Sequence, residues 1–153
     1  MQLTRAWWAL RVALGAGLLL AGLDKFAGVL TDWSMYLAPF VERHLPVSGA
    51  VALRAAGVLE VALGVALLSR WTRVAAYAAS AWLVAIALNL AITGNFWDLV
   101  LRDLEIAVAA FTLGPLSAWH ESLSPSRAPS GSPGDAVLHP AGIAPATTTR
   151  RTS

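Results

Sequence analysis

Cysteine is absent from this 153-residue sequence, and charged residues make up only 13% of it. The absence of cysteine excludes disulfide bonds, thiol redox relays and thiolate metal sites. Soluble globular chains carry about 25% charged residues, so this chain has too few charges to cover a water-exposed surface. The scarcity of charge therefore indicates a protein embedded in a membrane.

Several other sequence signals are also missing. The sequence contains no phosphate-binding glycine loop and no nucleophile motif. Its arginines are scattered and form no basic stripe, which argues against nucleic acid as a partner. His44, His120 and His139 lie outside the long apolar segments, so histidine ligation of a haem within those segments is excluded. The sequence predicts no metal site and identifies no catalytic residue.

Apolar residues are abundant, at 57% of the chain. They gather in four segments, 7–26, 47–68, 74–93 and 99–117, each close to the roughly 20 residues that cross a bilayer as a helix. The pattern predicts an all-α membrane protein whose domain, residues 1–121, is a bundle of four transmembrane helices. A cleaved signal peptide is the alternative for the first segment, but Arg11 interrupts the apolar run and no small-residue cleavage site follows it.

The segments that flank the spans predict the orientation. Arg5, Arg70 and Arg73 would share one side of the membrane with the C-terminal tail, and this excess of arginine predicts that both termini are cytoplasmic. Residues 122–153 are rich in Pro, Ser, Gly, Ala and Thr, which predicts a disordered cytoplasmic tail.

Residues 27–46, between the first two spans, mix aromatic residues with a few charges. This composition suits either a short interfacial helix or an ordered loop with aromatic anchors. Trp33 and Tyr36, like most of the other tryptophans, fall near predicted span ends. That placement is typical of an interfacial aromatic belt and predicts no binding role.

Several charges lie inside the predicted spans, although a charge at a helix centre costs roughly 2.5–3.5 kcal/mol. Arg54 and Glu105 both lie about 10 Å below the outer membrane edge, which predicts an ion pair between them. Glu60 lies near mid-bilayer with no evident basic residue at its depth, except Arg11 if it reaches up from the inner side. These charges predict a polar cluster in the outer half of the bundle, and it is either a functional site or a structural ion network. Its members are Asp24, Lys25, Arg54, Glu60, Arg102, Asp103 and Glu105.

Helical spacing predicts which face of each helix points inward. Three stripes combine small and polar residues at intervals of three and four, as one face of a helix requires. Small residues also permit close helix approach. The stripes are Arg11, Gly15, Leu18, Gly22 and Lys25 on the first helix; Gly57, Glu60 and Gly64 on the second; and Arg102, Glu105, Ala109 and Thr112 on the fourth.

Residues 7–119 resemble the four helices of the DoxX family of small bacterial membrane proteins. The resemblance is carried by "RVALGAGLLLAGLDKF", "GVLEVALGVALL", "WLVAIALNL" and "FWDLVLRDLEIAVAAFTLGPL". The chain departs from the family after Arg102 and Asp103, where members often have an apolar residue and a glycine. Here Leu104 is followed by Glu105, so local packing or pairing is expected to differ there.

The resemblance implies a multi-pass protein of the bacterial inner membrane, related to the small subunit of thiosulfate–quinone oxidoreductases. It further implies an accessory or quinone-associated component of a membrane redox assembly. Quinone would then be the cofactor, and the bilayer and a membrane redox protein would be the partners.

Two other function classes fit the same residues. A small transporter or proton-conducting protein would use Glu60 and the other intramembrane charges. A structural membrane partner would have no chemistry of its own.

Overall fold

The computed structural model describes residues 2–123, whose regular secondary structure is entirely helical, with no strand among them. Its long helices are α1 (Gln2–Ala27), α3 (Gly49–Leu68), α4 (Thr72–Thr93) and α5 (Trp97–Ser122). A 3-10 helix (Trp33–Tyr36) and the short α2 (Pro39–His44) lie between α1 and α3. The prediction of a disordered tail falls, from residue 124 onward, outside the described residues.

The all-α prediction is confirmed, and α1, α3 and α4 are each long and apolar enough to cross a membrane. The predicted fourth span corresponds to α5, which is equally long but carries charged residues in its first three turns: Asp98, Arg102, Asp103 and Glu105. Composition alone therefore marks three of the four long helices as membrane spans.

The long helices form two closely packed pairs, α1 with α3 and α4 with α5. In the first pair the two backbones touch. A Cβ added at Gly22 would lie 2.7 Å from the carbonyl oxygen of Gly57, and one added at Gly64 would lie 2.8 Å from that of Gly15. The predicted inward stripes of α1 and α3 are confirmed, because glycine allows this approach.

The second pair is packed through alanines. Ala76, Ala79 and Ala110 are fully buried where α4 meets α5. Gly114 leaves room for the ring of Tyr77, and the Ser80 hydroxyl donates to the carbonyl oxygen of Ala107 at 2.8 Å.

The predicted inward face of α5 is wrong. Arg102, Glu105 and Thr112 are exposed, and Ala109 is only half-buried. Small side chains pack against α4, and this packing turns a different stripe inward. Its members are Val100, Asp103, Ala107, Ala110, Gly114 and Ser117.

The two pairs are joined at the end of the molecule where α1 begins. The Trp7 indole of α1 donates to the Ser117 hydroxyl of α5 at 2.8 Å.

Arg11 joins α1 to the end of α3 within the first pair. The Arg11 guanidinium donates to the carbonyl oxygens of Leu67, Leu68 and Ser69. These carbonyls belong to the end of α3, where intrahelical donors run out. Arg11 therefore acts as a cap for another helix.

The connection between α1 and α3 is ordered and docked onto α4. Asn89 accepts from the backbone N–H of Ala38 at 3.1 Å and donates to the carbonyl oxygen of Tyr36 at 2.6 Å. Asp32 begins the 3-10 helix by accepting from the N–H and the hydroxyl of Ser34. The segment contains short helices joined by ordered turns.

Candidate functional site

A large cavity lies between the two helix pairs, with a volume of about 1190 Å³. All four long helices and the docked connection contribute to its walls. Most of the lining side chains are leucine, alanine, isoleucine and valine, and a small number are polar. A concave apolar space with few polar groups is the usual form of a small-molecule binding site.

The central polar feature of the cavity is a buried ion pair. Lys25 Nζ lies 2.6 Å from Glu60 Oε2, and the two side chains are 6% and 2% exposed. The other carboxylate oxygen of Glu60 accepts from the Trp82 indole at 3.3 Å. Both oxygens of Glu60 therefore have a donor, which offsets part of the desolvation of the carboxylate.

The prediction that Glu60 lacks a basic residue at its depth is wrong. The close approach of α1 and α3 explains the pairing. Lys25 Cβ lies 3.1 Å from the position of a Cβ at Gly57, and Gly57 precedes Glu60 by about one turn. The lysine stem thus runs along the surface of α3 and brings its ammonium to Glu60.

Trp33 contacts the Lys25 ammonium, and Asp24 in turn binds Trp33. Lys25 Nζ lies 3.6 Å from the centre of the Trp33 ring, within cation–π range. The Trp33 indole donates to Asp24 Oδ2 at 2.8 Å, while Asp24 Oδ1 accepts from the backbone N–H groups of Val29 and Leu30. The sequence predicts an interfacial anchor at Trp33, and the structure places its side chain in the cavity wall against Lys25.

A second ion pair lines the cavity from α5. Arg102 donates from Nε and Nη2 to Asp103 Oδ1, at 3.1 Å and 3.0 Å. The Arg102 side chain is 57% exposed, whereas that of Asp103 is 7% exposed. Both bonds from Arg102 end on Oδ1, so Asp103 Oδ2 has no protein donor within the described residues. The buried carboxylate keeps one acceptor for another molecule.

The predicted ion pair between Arg54 and Glu105 is wrong. Both residues are exposed, on α3 and α5 respectively. Within residues 2–123, the ion pairs closer than 4.0 Å are Lys25–Glu60 and Arg102–Asp103. Glu105 lies two residues from Asp103 and from Ala107, which both face inward, so helical geometry directs Glu105 outward.

The structure therefore divides the predicted cluster into three groups. Lys25, Glu60, Arg102 and Asp103 line the cavity. Asp24 lies behind it, and Arg54 and Glu105 lie outside it.

Sequence reasoning did not identify Trp82, and it assigned Trp33 and Tyr36 to the membrane interface. All three side chains line the cavity. A signal for Trp82 was present, because it lies in the middle of α4 (Thr72–Thr93), where an interfacial belt does not explain a tryptophan. No comparable signal existed for Trp33, whose contacts depend on how the connection folds back.

The arrangement offers both kinds of hydrogen-bonding group at the wall of an apolar space. Lys25 Nζ and the Arg102 guanidinium have donors beyond those used in their ion pairs. Asp103 Oδ2 is an acceptor. The site can therefore hold a molecule with a compact polar head and an apolar body. Within the described residues, no group of three or more metal-ligating side chains occurs.

In comparisons with known proteins, no family model, curated protein sequence or solved structure matches the chain.

Proposed function

We propose that this chain is a DoxX-like protein of the bacterial inner membrane that binds a quinone in its cavity, as an accessory component of a redox assembly. The observation that carries the proposal is the apolar cavity of about 1190 Å³ with the buried Lys25–Glu60 pair in its wall. The resemblance to the DoxX family supports the same ligand class.

The residues present fit such a molecule. A quinone ring has two carbonyl oxygens that accept hydrogen bonds, and Lys25 Nζ and Arg102 can donate to them. The reduced ring carries hydroxyl groups, which can donate to Asp103 Oδ2. The leucine and alanine walls suit an isoprenoid tail, because both are apolar. When bound, the quinone supplies electron-carrying chemistry that these side chains lack.

The same proposal places α5 across the membrane as the fourth span, with both termini in the cytoplasm. Arg102 and Asp103 line the cavity and pair with each other, which lowers the cost of charge in this span. The excess of arginine at Arg5, Arg70 and Arg73 supports the orientation. Lys25 and Asp103 would then lie toward the periplasmic surface.

Titration of the purified protein with a benzoquinone that carries a ten-carbon tail tests the proposal. Trp33 and Trp82 line the cavity, so saturable quenching of tryptophan fluorescence should report occupancy. Lys25→Met should weaken binding at least tenfold, because it removes a charged donor. Arg54→Met is the matched control, since it removes a charge outside the cavity, and it should leave affinity within twofold. A wild-type protein that shows no saturable binding would overturn the proposal.

One observation favours proton conduction as a second candidate. Glu60 is a carboxyl group that is only 2% exposed and lines a cavity among apolar helices. Proteoliposomes with a trapped pH-sensitive dye test this candidate. Proton flux that is present in the wild-type protein and lost in Glu60→Gln would support conduction. Quinone binding without flux would exclude it.

A further inference from the structure

The glycines of α1 have different surroundings. At Gly15 and Gly22 an added Cβ would lie within 3.0 Å of side-chain or backbone atoms of α3. At Gly17 an added Cβ would meet nothing within 4 Å. Glycine inside a helix is less favourable for stability than alanine. Close contact with another helix does not explain the glycine at position 17. Gly17 lines the cavity and is exposed.

Gly17 lies on the side of α1 that faces away from α3. It follows Gly15 by two residues, and this spacing directs the two positions to opposite faces of the helix. Ala13 and Ala21 share the face of Gly17 at intervals of four, and both line the cavity. The row formed by Ala13, Gly17 and Ala21 therefore carries no side chain larger than a methyl group over about 12 Å.

From α5, Arg102 and Ile106 contribute to the lining of the same cavity. The interface between α1 and α5 is much smaller than the interface within either helix pair, and so is the interface between α3 and α4. Trp7 and Ser117 join the two helices near one end. Beyond that junction, the cavity reaches the exposed surface of α1 at Ala13 and Gly17.

We propose that the gap between α1 and α5 is a lateral portal, through which the apolar tail of the bound quinone extends from the cavity into the bilayer. This proposal rests on the proposed function. Gly17 precedes Lys25 by eight residues, or about 12 Å along α1. A ring held between Lys25 and the buried Asp103 carboxylate places the first part of its tail beside Gly17. Lipid tails supply the same apolar surroundings as the cavity walls, so the tail remains in apolar surroundings throughout.

The portal can be narrowed without disturbing the helix. Gly17→Leu adds a side chain where there is open space, and Gly17→Ala is a smaller step of the same kind. Leu20→Phe is the matched control, because Leu20 is 64% exposed and does not line the cavity. Ala55→Phe probes the opposite side of the cavity, where α3 and α4 meet.

Two probes distinguish binding of the tail from binding of the ring. One is a benzoquinone with a ten-carbon tail, and the other is the same ring with a methyl group instead of the tail. The full chain in lipid nanodiscs should bind both. Gly17→Leu should weaken binding of the tailed probe at least tenfold, and leave that of the methyl probe within twofold. Gly17→Ala should have an intermediate effect on the tailed probe, and Leu20→Phe should change neither affinity.

Each of the remaining outcomes contradicts either the proposed function or the portal. If the wild-type protein binds neither probe, the proposed function fails. If it binds both and Gly17→Leu changes neither affinity, the portal is wrong while the site stands. An equal loss for both probes would also refute the portal, because it would mean that the cavity itself is filled. If Ala55→Phe alone excludes the tailed probe, the tail leaves between α3 and α4.

Discussion

The interfaces within the helix pairs and the space between the pairs follow opposite rules. Within the α1–α3 pair the backbones touch at Gly22 and Gly57, and no side chain intervenes. Between the pairs, a cavity of about 1190 Å³ lies beside Lys25, Glu60 and Asp103. Tight packing and an open, charged space thus occur in one small molecule, and the Lys25–Glu60 ion pair belongs to both.

Lys25→Met gives the largest expected effect, because Lys25–Glu60 belongs to both regions: it links α1 to α3 and it lines the cavity. Removing one partner of a buried ion pair leaves an uncompensated charge, so we expect a loss of about 3–5 kcal/mol in the free energy of unfolding. The double variant Lys25→Met/Glu60→Leu should recover most of that loss. Unfolding by SDS titration measures both values. Equal losses in the single and double variants would show that the loss does not come from an uncompensated charge at Glu60.

Substitution of two glycines in α1 compares the two regions directly. Gly22→Ala places a Cβ 2.7 Å from a backbone oxygen of α3, and overpacking of this kind costs about 1–3 kcal/mol. Gly17→Ala meets open space and should stabilise the helix by about 0.4–1 kcal/mol. Thermal unfolding of the two variants in one detergent tests the contrast. A similar loss in both would mean that α1 packs equally on each side.

Trp7→Phe tests the junction that joins the pairs. The variant removes the indole donor from Ser117, which is 1% exposed. We expect a loss of about 1 kcal/mol, the usual contribution of one hydrogen bond. Trp8→Phe is the control, because Trp8 is 50% exposed, and it should have a smaller effect. A larger loss in Trp8→Phe would place the junction elsewhere.

Arg54→Leu and Glu105→Leu should have small effects, each within about 0.5 kcal/mol, since both residues are exposed. Their effects should also add, because residues without a shared contact do not couple. A double-mutant cycle measures the coupling energy. A coupling well above about 0.5 kcal/mol would restore the ion pair that the sequence predicted.

The smallest effect is expected at Asp32, on the surface of the connection. Hydrogen bonds from the Ser34 hydroxyl and backbone N–H hold the pKa of Asp32 below its ordinary value. A lowered pKa in the folded state contributes stability above the unfolded pKa, and this is lost as the pH falls through the folded value. Asp32→Asn should therefore reduce the acid-dependent loss of thermal stability below about pH 4. An unchanged pH profile would show that Ser34 does not favour the carboxylate.

The sequence predicted the α1–α3 interface correctly because a single physical rule governs it. Glycines seven residues apart, about two helical turns, mark a face where helices meet, and Gly15 with Gly22 and Gly57 with Gly64 follow that rule. On α5 two rules compete. The first rule places charged residues on the inward face, and the second places small residues there. In the structure Ala107, Ala110 and Gly114 determine the buried face.

The site was predictable only in part, because residue numbers define the membrane depth of a side chain on its own helix alone. A depth defined in this way ignores the length of a lysine side chain and the close approach at Gly57, so the Lys25–Glu60 pair was missed. The position of Trp33 depends on the folded connection, in which Asn89 of α4 binds the backbone at Tyr36 and Ala38. Contacts between residues about fifty positions apart leave no periodic signal in the sequence.

The hydrogen bonds of Arg11 determine the order in which α1 and α3 can complete their contacts during translation. Its guanidinium binds carbonyl oxygens of Leu67, Leu68 and Ser69, which are translated more than fifty residues later. Until those residues leave the ribosome, the nascent first helix carries an arginine without its native acceptors. α1 can therefore complete these hydrogen bonds only after α3 has been synthesised, which couples the final packing of the two helices.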